Sequence, residues 1–228
     1  MLTLFIYSIS FYGTLNTMTR FNVPVMCNTK NSIIQGDSLR TWTFKSPSVK
    51  QVQVTVNTNG RPLDTHVELW EGPDNTPYNM RVFVEDGRPF NAVIEMPRSP
   101  NTIAIRNVGP IEFPIIADVN TNNILQPTFE CTSSFDTIQG GSTRSYPFKS
   151  SVKDIQIFLK TSGRPLNSRI ELLQGSDNNK QVIELYTQNG LDRPFFCTLS
   201  TQGIGSIVRI INTSPIEFPL MAGIEQYI

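Results

Sequence analysis

The chain contains the same four sequence blocks twice, in the same order. The first copy has QGDSLRTWTFKS, NGRPLDTHVELWEGPDN, GRPF and GPIEFPIIADV, and the second has QGGSTRSYPFKS, SGRPLNSRIELLQGSDN, DRPF and SPIEFPLMAGI. The copies extend over Gln35–Val119 and Gln139–Ile224, with an offset of 103 residues at GRPL and 105 at IEFP. Four collinear matches do not arise by chance, so the chain is an internal duplication.

The length of the repeat predicts how the 228 residues are divided. A period slightly above 100 residues far exceeds a solenoid unit and is long enough for a domain with its own core. We expect a leader at residues 1–30, a first β-sandwich repeat at 31–120, a linker at 121–130 and a second repeat at 131–228. The leader is interpreted either as a partial targeting segment or as a disordered extension, because its apolar start is too short to span a membrane.

Within each copy the apolar residues alternate with polar ones, which places them on one face of a strand. Alternation is clearest in Val52–Val56 and in its counterpart Ile155–Leu159. Turn signals such as Asn59-Gly60 and Asp86-Gly87 separate these runs, and no window shows a helical period. The pattern predicts an all-β protein: two tandem homologous β-sandwich domains, jelly-roll-like, with pseudo-twofold internal symmetry.

Composition excludes several classes of partner. Lys plus Arg and Asp plus Glu number 19 each, so no net field attracts nucleic acid, and no later segment reaches the length of a membrane span. Three cysteines, Cys27, Cys131 and Cys197, are too few and too widely spaced for a disulfide scaffold. We interpret them as reduced thiols. Cys27 and Cys131 hold matching places in the two copies, so a disulfide between them stays an alternative.

The residues needed for catalysis or metal binding are scarce. The single histidine, His66, is replaced by Arg169 in the second copy, which indicates a solvent-facing strand position. Glu68 and Glu71 provide a candidate carboxylate pair, but Glu71 becomes Gln174 in the second copy. We therefore expect no enzyme activity, no cofactor and no metal site.

Both copies share GRPL, RPF and IEFP, which combine arginine, proline and large apolar residues. One interpretation is architectural, with proline shaping turns and phenylalanine filling the sandwich. The other is an assembly interface, because arginine and aromatic residues are enriched where proteins meet. The residues assigned to this interface are Arg61, Pro62, Leu63, Arg88, Phe90, Glu112, Phe113, Arg164, Pro165, Leu166, Arg193, Phe195, Glu217 and Phe218.

The duplicated QG…FKS, GRPL…ELW.G.DN, RPF and IEFP blocks resemble the pyrenoid shell proteins of diatoms and related marine algae, over about residues 33–224. The resemblance implies a non-catalytic structural protein of the chloroplast stroma that self-assembles into a sheet-like lattice around the Rubisco-containing pyrenoid and supports CO2 fixation. It implies other copies of the chain as partners, and Rubisco or other pyrenoid components as further ones. The leader is short for the bipartite signal of such a plastid protein.

A soluble tandem carbohydrate-binding module is the alternative function. Such a module requires an exposed aromatic platform, for which Trp42 and Trp70 are the candidates. The second copy has Tyr146 and Leu173 at these places, so one platform is lost. Oligomeric state separates the two functions, since a shell protein forms large assemblies and a binding module stays monomeric.

Overall fold

The computed structural model describes residues 31–175, 178–202 and 205–227, which form sixteen strands and one short helix. The first repeat contributes β1 (Ser32–Ile34), β2 (Leu39–Phe44), β3 (Gln51–Asn57), β4 (Leu63–Trp70), β5 (Tyr78–Val84), β6 (Phe90–Glu95), β7 (Asn101–Asn107) and β8 (Ile115–Asn120). Helix α1 (Phe129–Ser133) follows. The second repeat contributes β9 (Asp136–Ile138), β10 (Thr143–Phe148), β11 (Asp154–Lys160), β12 (Leu166–Leu173), β13 (Asn179–Thr187), β14 (Phe195–Ser200), β15 (Ser206–Asn212) and β16 (Leu220–Tyr227).

The strands form two antiparallel sheets of eight strands each, which confirms the all-β sandwich. Sheet A has the order β1-β8-β3-β6-β14-β11-β16-β9, and sheet B has the order β10-β15-β12-β13-β5-β4-β7-β2. Both orders are palindromes when each strand is replaced by its equivalent in the other repeat. The two halves of the molecule are therefore related by a pseudo-twofold axis.

Both sheets run without interruption from one repeat into the other. In sheet B, β5 pairs with β13, and the central residue pair is Arg81 opposite Glu184. In sheet A, β6 pairs with β14, centred on Ala92 opposite Cys197. Each central pair joins equivalent positions of the two repeats, as a twofold axis requires. The two repeats thus share both sheets, while independent folding of each repeat stays a prediction.

The hydrophobic core lies between the sheets and is built from the alternating residues. Val52, Val54 and Val56 of β3 are fully buried, and so are Ile155 and the matching positions of β11. Each such side chain contributes roughly 1.5–3 kcal/mol through removal of apolar surface from water. This confirms the faces predicted from the period-two pattern.

The segment that joins the repeats lies across the outer face of sheet A. The backbone N–H of Leu125 donates to Gln53 Oε1 at 3.0 Å, and that of Thr128 donates to Gln156 Oε1 at 3.0 Å. Thr128 also caps α1 by accepting from the backbone N–H of Cys131 at 3.3 Å. The predicted linker therefore contacts both halves of the molecule. Among the described residues, there is no apolar helix of membrane-spanning length.

Candidate functional site

The GRPL and IEFP turns of the first repeat meet at the surface. The Arg61 guanidinium lies over the Phe113 ring, 5.7 Å from its centre, and its Nη1 donates to the carbonyl oxygen of Glu112 at 3.1 Å. Gly60 precedes the arginine with φ of 87°, a conformation that glycine adopts without steric cost. The sequence separates these two turns by about 50 residues, and the fold joins them through a cation–π contact.

The second repeat builds the same arrangement. Arg164 lies over Phe218 at 5.6 Å, and Gly163 has φ of 86°. In both repeats the phenylalanine N–H donates back to the proline carbonyl three residues earlier, at 2.9 Å for Phe113 and 3.0 Å for Phe218. The pseudo-twofold axis therefore relates two surface units of the same construction.

Two buried asparagines hold these turns in place. Asn107 Nδ2 donates to the carbonyl oxygens of Ile34 at 3.1 Å and Phe113 at 2.8 Å, so it ties β1 to the turn. Asn212 donates in the same way to Ile138 and Phe218, each at 2.9 Å. The sequence-based prediction did not include this pair. The available signal was an asparagine four residues before the isoleucine of IEFP in both copies.

Each turn presents an apolar side chain to solvent. Ile111 and Ile216 are each 72% exposed, although isoleucine is usually buried. Glu112 and Glu217 are exposed beside them, and Arg61 and its counterpart are exposed on the adjoining turn. We call each set of arginine, isoleucine, glutamate and phenylalanine (Arg61, Ile111, Glu112 and Phe113; Arg164, Ile216, Glu217 and Phe218) a surface knob.

The structure separates the predicted interface residues into two groups. The exposed or half-buried group is Arg61, Pro62, Glu112, Phe113, Arg164, Pro165, Glu217 and Phe218. The buried group is Leu63, Arg88, Phe90, Leu166, Arg193 and Phe195. The side chains of the buried group are inside the subunit and are not available to a neighbouring molecule. The leucines and phenylalanines of this group belong to the hydrophobic core.

The two RPF arginines connect the halves of the molecule. Arg88, only 3% exposed, pairs with Asp86 and donates through Nη1 to the carbonyl oxygen of Ser200 in the second repeat. Arg193, 2% exposed, pairs through Nη2 with Glu71 of the first repeat. The Arg88 hydrogen bonds lower the pKa of Asp86 below its ordinary value, although burial opposes them. The RPF block is therefore an internal connection between repeats.

The outer face of sheet B carries a network of ion pairs. Arg169 pairs with Glu171 at 2.8 Å and with Glu184 at 2.7 Å, and Arg209 pairs with Glu171 at 3.2 Å. His66 lies half-buried on the same face. No group of three or more His, Cys, Asp or Glu side chains that could hold a metal ion occurs in the described part of the chain.

The aromatic platform expected of a carbohydrate-binding module is absent at its first candidate position. Trp42 is 2% exposed and points into the core, so its ring cannot stack on a sugar. Trp70 is half-buried, and its Nε1 donates to Glu68 at 2.7 Å.

The free thiols of Cys131 and Cys197 are both buried. Burial raises the pKa of the Cys131 thiol to about 12, and it raises the pKa of Cys197 well above its ordinary value. Since the thiolate is the reactive form, both thiols are unreactive at neutral pH. Cys27, the other half of the disulfide alternative, lies outside the described residues.

Thiol labelling tests this conclusion. With Cys27 replaced by serine, we expect the folded protein at pH 8 to resist a disulfide-exchange reagent such as DTNB for hours. In guanidinium chloride, we expect two thiols per chain of the same protein to react within minutes, because unfolding restores ordinary pKa values. Rapid labelling of the native protein would contradict the burial of these cysteines.

Comparisons with known proteins show a family match over most of the chain. The family model described as diatom pyrenoid shell protein matches residues 26–226. None of the curated proteins matches the chain. Among solved structures, the crystal structure of the PBSX exported protein XepA is similar at 10% identity and a TM-score of 0.28, covering 86% of this chain and 85% of that one.

Proposed function

Because the chain belongs to the diatom pyrenoid shell protein family, we propose that it is a non-catalytic subunit that assembles with copies of itself into a sheet-like lattice around the Rubisco-containing pyrenoid. A structural role in the pyrenoid shell follows from the family. The proposed location is the chloroplast stroma, and the proposed consequence is support of CO2 fixation. Rubisco and other pyrenoid components are the further partners proposed.

The observation that carries this proposal is the pair of equivalent surface knobs on one chain. A lattice that extends in two dimensions needs at least two contacts per subunit in different directions. The pseudo-twofold axis supplies two knobs of the same composition at separate places, each with an exposed isoleucine beside an exposed arginine and glutamate. Such mixed apolar and charged sets are typical of protein interfaces.

The charge of the chain supports association between copies. Its formal net charge is zero at pH 7, so no long-range repulsion separates like molecules. Each knob carries an arginine and a glutamate, so two knobs can meet with opposite charges adjacent. The alternative, a soluble carbohydrate-binding module, is disfavoured because Trp42 is buried.

Negative-stain electron microscopy of the full chain tests the proposal. We expect ordered sheets or tubes from the wild-type protein, and loss of these assemblies in Arg61→Glu and Arg164→Glu. Each substitution removes a cation–π contact worth about 0.5–1 kcal/mol, so the fold should remain intact by circular dichroism. Lys149→Glu makes the same charge change in an exposed loop and should still assemble.

The outcomes test two statements separately: that the chain forms a lattice, and that the knobs are its interface. Monodisperse monomers of the wild-type protein at every concentration and salt level would contradict the lattice. Sheets that persist in both arginine variants would show that the knobs are not the interface.

A further inference from the structure

The four outer edges of the two sheets differ in length. Sheet A ends in β1 and β9, which have three residues each, whereas sheet B ends in β2 and β10, which have six residues each. An edge strand presents unpaired backbone N–H and C=O groups that another chain can bind. Very short edges offer few such groups, so among the edges of the described sheets only β2 and β10 can support extended pairing.

The backbone groups of β2 that point away from the molecule can be identified. The N–H of Asn107 donates to the carbonyl of Ser38 at 3.0 Å, so even-numbered residues of β2 face β7. Leu39, Thr41 and Thr43 therefore direct their N–H and C=O groups outward. Within the described ranges, no strand pairs with this side of β2.

The equivalent edge of the second repeat is blocked. The N–H of Asn212 donates to the carbonyl of Ser142 at 3.0 Å, so Thr143, Ser145 and Pro147 of β10 face outward. Pro147 has no N–H group, and its ring interferes with an approaching strand. β2 has Thr43 at that position. In the described part of the chain, one long edge thus lacks a partner strand and the other is protected by proline.

We propose that β2 pairs antiparallel with β2 of a second copy of this chain, about a twofold axis at Thr41. The pairing joins two copies of sheet B into one sheet of sixteen strands. This inference rests on the proposed function, because it specifies one of the contacts between shell subunits.

The chemistry of the strand favours a second copy as the occupant. With Thr41 opposite Thr41 of the second copy, Leu39 lies opposite Thr43, and Arg40 lies opposite Trp42. Arg40 therefore does not face another arginine, and its guanidinium already lies 5.8 Å from the centre of its own Trp42 ring. Threonine–threonine pairs across antiparallel strands are favourable, whereas like charges directly opposite are not.

The fold itself contains two precedents for this contact. β5 with β13 and β6 with β14 are antiparallel pairs of equivalent strands, each formed about the pseudo-twofold axis. Pairing β2 with its copy repeats the same construction between molecules. Because a twofold contact is closed, it produces dimers, and the surface knobs are then available to connect dimers into a lattice.

A proline substitution tests the pairing without disturbing the fold. Thr43→Pro reproduces the native Pro147, and β10 keeps six residues and its full pairing with β15 despite that proline. Thr43→Val is the matched control, since it also loses the Thr43–Thr102 hydroxyl contact at 3.1 Å but keeps the N–H. Two intermolecular hydrogen bonds are lost per dimer. In the Arg61→Glu background, where sheets are not expected, we therefore expect the dimer dissociation constant to rise about 30-fold in Thr43→Pro relative to Thr43→Val, by analytical ultracentrifugation. Equal dissociation constants for the two variants would overturn the proposal.

Disulfide formation tests the register. In a background with Cys27 replaced by serine, Thr41→Cys places two thiols on directly opposed residues, whose Cα atoms lie about 5.5 Å apart. Thr43→Cys places them about 14 Å apart, too far to bridge. We expect covalent dimers from Thr41→Cys alone under mild oxidation. No dimer from either variant, or equal amounts from both, would contradict the pairing.

These results are distinguishable from failure of the lattice. Sheets that persist in Thr43→Pro, together with no cross-linking of the Thr41→Cys variant, would reject the β2 contact and leave the shell function standing. Covalent dimers of the Thr41→Cys variant, together with a wild-type protein that dimerises but never forms sheets, would support the β2 contact and reject the lattice.

Discussion

Glu71→Gln is expected to destabilise the protein by about 3–5 kcal/mol, because it leaves the Arg193 guanidinium buried without a countercharge. Arg193 is 2% exposed and pairs with Glu71 across the two repeats. For a chain of this length the loss corresponds to a lower Tm by an amount on the order of 10 °C. Guanidinium chloride unfolding followed by circular dichroism measures the free energy directly.

Two controls distinguish the stability cost of an unpaired buried charge from the cost of losing any ion pair. Glu85→Gln removes a partner of Lys180 at 2.8 Å, but Glu85 is about half exposed, so we expect a change of only about 0–1 kcal/mol. The double variant Glu71→Leu with Arg193→Met removes both charges and should recover most of the stability. A Glu71→Gln effect as small as that of Glu85→Gln would show that this pair does not connect the halves.

Gly36→Ala and Gly140→Ala are each expected to cost about 3 kcal/mol, at the upper end of what overpacking costs. These glycines belong to the repeated QG block, and each lies against the IEFP turn of its own repeat. A Cβ atom on Gly36 would overlap the carbonyl oxygen of Pro110, and one on Gly140 would overlap that of Pro215. The turns cannot retreat freely, because the buried asparagines hold them to β1 and β9.

Gly205→Ala is the matched control for the glycine substitutions. A Cβ atom there would lie 3.7 Å from the carbonyl oxygen of Phe148, an ordinary van der Waals contact. We expect its unfolding midpoint to stay near that of the wild type, while both QG variants shift to lower denaturant. Equal midpoints for all three variants would mean that the QG block does not support the IEFP turn.

The strands and their faces could be predicted because they depend on local order. The alternation in Val52–Val56 and its counterpart determines which side chains face the core, and the duplication shows the pattern twice. The continuous sheets could not be predicted, because the pairing of β5 with β13 depends on which edges meet in space. Val93 and Phe196, apolar residues at outward positions, lie opposite each other where β6 meets β14 and are buried beside the joining segment.

The exposure of the shared arginines could be predicted only in part, for a related reason. All four shared arginines were assigned to an assembly interface, because arginine is enriched where proteins meet. The knob arginines Arg61 and Arg164 are on the surface, but Arg88 and Arg193 are inside. Their burial depends on acceptors distant in sequence, Ser200 and Glu71, which no short motif contains.

The continuous sheets also determine when the fold can be completed during translation. β5 ends at Val84, and its partner β13 ends 103 residues later, at Thr187. At ribosomal speeds of about 5–20 residues per second, this separation corresponds to roughly 5–20 s. During that interval the emerging first repeat exposes β5 and β6, and neighbouring nascent chains on the same messenger carry the equivalent strands. Strand exchange between neighbouring nascent chains can therefore occur until the second repeat has emerged.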